Sequence, residues 1–150
     1  MAIPKAELIK MINLDEPDYQ SIVKKLSTDD IPTLVELSND PDPAIATKAI
    51  SCLGLMQSEK ALAGLVEIVK HPDAVRRVAV ANSLKNMTSE EGVVPLLNKL
   101  LDDHDIGVKK FALKTVESGN LSPLKEKVRQ MQQEANTTLK ALAQQVLQKL

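Results

Sequence analysis

The apolar residues of this 150-residue chain fall into four similar stretches, each apolar at helical spacing and none alternating in twos. "IATKAISCL" starts at Ile45, with Ala49 four places on and Leu53 eight. "VRRVAVANSL" starts at Val75, with Ala79 at the fourth place. "VKKFALKTV" starts at Val108 and returns at Ala112 and Val116; "LKALAQQVL" starts at Leu139 and returns at Ala143 and Leu147. Steps of four and eight keep side chains on one helix face. The starting points lie 30, 33 and 31 residues apart, and a near-constant period of this size signals a stacked helical repeat. Strands, which need a period of two, are not expected.

Each stretch follows a residue able to cap a helix: Asp42, Asp73, Asp105 and Asn136. Pro43 follows Asp42, where a first-turn proline loses no hydrogen bond. Upstream of each stretch lies a second amphipathic segment: "IPTLVEL", "LAGLVEIV", "VPLLNKLL" and "SPLKEKVRQM". Thr88 and Glu91 have capping-box spacing ahead of the third. The unit is therefore helix, short Asp/Pro turn, helix. The chain reads as one domain over 1–150, with units at 28–56, 57–87, 88–119 and 120–150. Residues 1–27, with helices near Lys5 to Ile12 and Asp18 to Leu26, form an atypical capping unit, as expected where one side of a stack faces water.

The period, together with "PDPAIATKAI" and "HPDAVRRVAVA", resembles the HEAT repeat, in particular the short bacterial HEAT-like type also found in phycobilisome lyases. The resemblance covers residues 28–150 and, more weakly, the N-terminus. It implies an all-α, right-handed α-solenoid of about five stacked antiparallel helix pairs, with the second helices lining a concave face. It also implies a ladder of Asp and cationic side chains linking neighbouring units. Members include scaffolds, adaptors and a few enzymes, so the resemblance speaks to fold more than to activity.

A helical wheel drawn from the first apolar residue of each stretch puts the next position between two apolar rows. Arg76, Lys109 and Lys140 stand there. A long cation on such a face either binds a ligand or runs along its neighbours to a carboxylate. Acidic turns are at hand at Asp40, Asp42, Asp73, Asp102, Asp103 and Asp105. The structural reading is preferred: Arg76, Lys109 and Lys140 pair with Asp42, Asp73 and Asp105 as the implied ladder, broken where Ala46 replaces the cation. One residue further, Arg77 and Lys110 point away from the apolar rows, with Lys114 beside them. Thr47, Ser51 and Gln145 occupy the same rows in other units. With Glu117 these make the candidate partner-binding surface; the alternative is a solvated face.

Composition narrows the function. Nineteen basic residues against twenty acidic leave a net charge of −1, so no global field draws the chain to nucleic acid or anionic membrane. Tyr19 and Phe111 are the only aromatics, which argues against a base-stacking platform or a base-flipping pocket. One cysteine permits no internal disulfide, and no apolar run reaches the roughly 20 residues of a membrane span. The N-terminal segment has acids where a signal peptide keeps an apolar core. A soluble, cytoplasmic protein is expected.

Chemistry is sparse. His71 and His104 occupy equivalent turns of adjacent units; helices stacked about 8–10 Å apart do not let two such turns share one ion whose ligands sit at about 2.1 Å. Cys52 lies among the core rows, without a histidine near it in sequence. No glycine-rich phosphate loop or nucleophile motif occurs. No metal or cofactor is expected. The function expected is a non-catalytic protein-binding module, an adaptor, scaffold or regulatory subunit, whose concave face meets acidic groups of a partner protein. It would act as a monomer or as a weak dimer through the C-terminal helix, where Val146, Leu147 and Leu150 add apolar character. The alternative is an accessory subunit of an enzyme, such as a bilin lyase-like protein.

Overall fold

The computed structural model describes residues 1–150 as ten α-helices without a strand. Helices α1 (Lys5–Ile12) and α2 (Tyr19–Lys24) form the N-terminal unit. Four pairs follow: α3 (Ile31–Ser38) with α4 (Pro43–Leu55), α5 (Glu59–Ile68) with α6 (Ala74–Ser83), α7 (Val93–Leu101) with α8 (Ile106–Gly119), and α9 (Lys125–Gln130) with α10 (Thr137–Lys149). One pair lies within each of the stretches 28–56, 57–87, 88–119 and 120–150. No helix is long and apolar enough to cross a membrane.

All four turn caps form as the sequence requires. Asp42, Asp73, Asp105 and Asn136 accept hydrogen bonds from backbone N–H groups of the first turn they precede. The capping box expected at Thr88 and Glu91 does not form. Helix α7 starts after Gly92, whose helical backbone carries no side-chain cap, so Thr88 to Glu91 belong to the connecting turn. The capping box that does form pairs Ser27 with Asp30. Buried Asp30 also accepts from the Ile3 N–H at 2.7 Å, pinning the N-terminal segment to the unit after it.

The second helices stack directly: α2 on α4, α4 on α6, α6 on α8, and α8 on α10. The first helices form the other layer, with α3 against α5. One continuous core of Leu, Ile, Val and Ala runs between the layers from Leu8 to Val146. Two contacts show how closely the stack is fitted. A Cβ added at Gly54 would lie 2.8 Å from the Ser83 Cβ and 2.9 Å from the Ser83 carbonyl oxygen, so glycine lets α4 and α6 meet. Between α6 and α8, the buried Thr115 hydroxyl donates to the Ala81 carbonyl at 2.7 Å.

The caps give the true register. Asp42, Asp73, Asp105 and Asn136 stand 31, 32 and 31 residues apart, more regular than the spacing counted from the first apolar residue. In this register Arg76 takes the place of Ile45, Val108 and Leu139, three residues after the cap. Arg77 takes the place of Ala46, Lys109 and Lys140, four after it. The wheel drawn from Val75 is therefore one residue out, because Val75 is exposed and the buried face of α6 consists of Arg76, Arg77, Val80, Ala81 and Ser83.

Positions four and eight after the cap face the following unit. Ala46, Arg77, Ile50, Ala81 and Leu113 are buried there, and Lys109 is half-buried. Lys140 and Gln144, their counterparts on α10, are exposed because no unit stacks on α10 within these residues. Val146 is fully buried and Leu147 and Leu150 pack against the core, so the apolar side chains of α10 are turned inward.

Candidate functional site

The two adjacent arginines of α6 hold three units together. The Arg76 side chain reaches back to the unit before: its Nε donates to the Ser38 carbonyl at 3.3 Å and a terminal nitrogen to the Asp40 carbonyl. These carbonyls lie at the C-terminal end of α3, where four backbone acceptors lack helical partners and a cation is favoured. The other terminal nitrogen of Arg76 pairs with Asp73 of its own turn at 2.6 Å. Arg77 reaches forward. Its Nε meets Asp103 at 2.8 Å and a terminal nitrogen meets the second carboxylate oxygen at 3.2 Å, a two-pronged pair. Its remaining nitrogen donates to the carbonyls of His71 and Pro72, both at 2.9 Å.

This pair is the ladder, and it differs from the expected one. Arg77 is 5 % exposed and is no part of a binding surface. The acids of the ladder stand two residues before each cap: Arg77 pairs with Asp103, and Lys109 with Glu134 at 2.7 Å. Asp42 and Asp105 cap their helices and pair with no cation; Asp73 caps and also meets Arg76. Lys140 makes no ion pair within these residues. In the unit of Ala46 the rung is absent, and the corresponding place in the next turn holds His71, whose Nδ1 accepts from the Asp73 N–H at 3.0 Å. Burial raises the Asp103 pKa, but hydrogen bonds from Arg77 and from the Asp105 N–H, with the charge of Arg77, outweigh it and hold the carboxyl below the usual carboxylate range.

With Arg77 removed, the remaining candidates lie on the exposed face of the stacked second helices. Ser51, Asn82, Lys114 and Gln145 all stand nine residues after their caps and form one row across α4, α6, α8 and α10. A second row, five after the cap, holds Thr47, Val78, Lys110 and Ala141. The Thr47 and Ser51 hydroxyls donate to carbonyls of their own helix. Between α8 and α10 these rows border a groove of about 450 Å³ lined by Lys110, Lys114, Thr137, Thr138, Ala141, Leu142 and Gln145. Neither lysine has a carboxylate partner; the Lys114 ammonium sits 5.3 Å from the centre of the Phe111 ring, a cation–π distance. Glu117 is occupied instead: it accepts from Gln145 at 3.2 Å and pairs with Lys149 at 3.4 Å, linking α8 to α10.

A smaller groove of about 200 Å³ lies between α4 and α6, lined by Tyr19, Ser51, Leu55, Asn82, Ser83, Lys85 and Asn86. Burial pushes the Tyr19 phenol above its ordinary pKa, against the pull of the neighbouring Ser51 hydroxyl. Reading from the first apolar residue missed Asn82, Lys85 and Tyr19 here; counting from the caps places Asn82 in the row directly.

Cys52 and the two histidines form no cluster. Cys52 is buried, and burial pushes its thiol up to about 12. His71 is held in its turn, while the His104 side chain stands in solvent. No group of three His, Cys, Asp or Glu side chains converges to hold a metal ion.

Comparison with known proteins bears on the fold. The complex of CpcE and CpcF of phycocyanin lyase from Nostoc sp. PCC7120 contains a similar chain, with a TM-score of 0.65 and 18% identity. The match covers 99% of the present chain and 65% of the other, so the chain spans less than two thirds of that neighbour's length. Curated protein sequences yield no match. The family model for HEAT repeats matches residues 8–85, more than half the chain, and on that ground, with the stacked helix pairs described above, the chain belongs to the HEAT-repeat family.

Proposed function

We propose that the chain is a non-catalytic protein-binding module, acting as an adaptor, scaffold or regulatory subunit through the exposed face of α4, α6, α8 and α10. One observation carries this reading. Lys110 and Lys114 border an open groove with no carboxylate lining it, while Arg76, Arg77 and Lys109 are all committed to holding units together. Cations left unpaired beside a concavity favour a partner bearing acidic groups, and they speed its encounter. The stack carrying them is held by a continuous core and by bonds between units, so association orders few groups and loses little entropy. The high pKa of Cys52 and the separation of the two histidines support a role without catalysis. We place this role in the cytoplasm.

The test is affinity capture from the source cell with the wild type and with the Lys110→Glu/Lys114→Glu variant. Both side chains lie outside the core, so the variant should melt with the wild type by circular dichroism. The reading expects a partner held by the wild type and lost by the variant. Equal capture by both proteins would move the site elsewhere on the stack.

A second reading, accessory subunit of a lyase-like enzyme, draws on the fold shared with a chain of a two-subunit lyase complex. It expects the purified chain to change the visible absorbance of an added bilin; an unchanged spectrum counts against it.

A further inference from the structure

We infer that the exposed face is a track with two subsites for one extended acidic peptide segment, one carboxylate seated at Lys110 and Lys114 and another at Lys85. This deepens the binding reading above and rests on it.

The two grooves belong to one surface. The row nine residues after each cap crosses both, through Ser51 and Asn82 in the smaller groove and Lys114 and Gln145 in the larger. Each groove holds at least one lysine without an ion pair, and neither is lined by a carboxylate. The smaller one surrounds its lysine with hydroxyls and amides, groups that hydrogen-bond a carboxylate without repelling it. Glu117, on α8 with Lys110 and Lys114, is already paired with Lys149.

Spacing then sets the length of the occupant. The grooves lie two helix spacings apart, about 16–20 Å at ordinary packing distances. Extended chain covers that span in about five to six residues at roughly 3.3 Å each. A helix binding in a groove needs a stripe of apolar anchors. The linings offer Tyr19 and Leu55 in one groove and Ala141 and Leu142 in the other, too few for such a stripe, so an extended segment fits this face better.

The experiment is a fluorescence anisotropy titration with three labelled peptides of equal length. One carries two glutamates separated by five Ser/Gly residues, the second two glutamates separated by one, and the third two glutamines at the wide spacing. The wide-spaced acidic peptide should bind roughly threefold to fivefold tighter than the close-spaced one, the gain from one added exposed ion pair. Lys85→Ala should erase that preference and leave the close-spaced peptide unaffected. Lys110→Ala/Lys114→Ala should weaken both. Equal affinity for the two acidic peptides, still lost in the double variant, would overturn the two-subsite track and leave the binding face standing. Binding insensitive to every variant, or no preference over the glutamine peptide, would overturn both. Tighter binding of an oligothymidine of eight nucleotides would overturn the peptide assignment in favour of a nucleic acid.

Discussion

Replacing Arg77 with alanine separates the two roles open to that residue most sharply. In the structure the change removes a two-pronged bond to Asp103 and two bonds to the carbonyls of His71 and Pro72. Asp103, whose side chain is 11% exposed in the intact pair, then keeps only the hydrogen bond from the Asp105 N–H. Breaking a buried pair by deleting one partner costs about 3–5 kcal/mol. The turn lies at the edge of the stack and Asp103 keeps one bond, so about 3 kcal/mol is expected here. For a chain of this size that corresponds to a fall in Tm of about 6–12 °C. Thermal unfolding followed by circular dichroism measures it, within a cycle that includes Asp103→Ala and the double variant. The double variant should be more stable than the sum of the single losses predicts, by about 1–3 kcal/mol, because no carboxylate is then left buried and unpaired. A solvent-facing arginine would give a change within about 0.5 kcal/mol. A Tm within a degree or two of the wild type would refute the reasoning. Acid titration gives an independent check. The folded-state pKa of Asp103 is depressed, so the pair's stabilisation is complete above the unfolded carboxylate pKa of about 3.9 and is lost as pH falls through the folded value. Between about pH 4 and pH 2 the wild type should therefore lose more stability than Arg77→Ala.

Other consequences follow from single contacts. Gly54→Ala forces a methyl group against the Ser83 backbone and should cost about 1–3 kcal/mol, against the gain alanine gives in an unhindered helix; a Tm equal to or above the wild type would show that α4 and α6 can move apart. Lys109→Ala, which removes the partly buried rung to Glu134, should lower stability by about 1 kcal/mol or less, whereas Lys140→Ala should leave the melting curve unchanged. Thr115→Val keeps the shape but loses the bond to the Ala81 carbonyl, for an expected loss of about 1 kcal/mol in urea unfolding. Cys52, with its thiol pushed up to about 12, should resist iodoacetamide in the folded chain at pH 8 and react fully in denaturant; rapid labelling of the native protein would contradict its burial.

Much of this protein was determined by the sequence alone. Period, turn caps and the absence of two-residue alternation suffice for a stack of helix pairs, because each signal is local. A cap needs a side chain two or three residues from its donor, and a helix face needs only regular spacing. The four caps at Asp42, Asp73, Asp105 and Asn136 all form. Tertiary structure alone decided which arginine does what. "AVRRVAVA" is apolar on nearly every side, so its wheel admits two registers one residue apart, and only packing against α4 and α8 selects one. Arg76 finds its acceptors 36 and 38 positions back, and Arg77 its carboxylate 26 positions ahead. Partners so distant in the chain leave no local trace. A long, flexible side chain can reach whichever oxygen the neighbouring unit presents, and that choice is made only when the units stack.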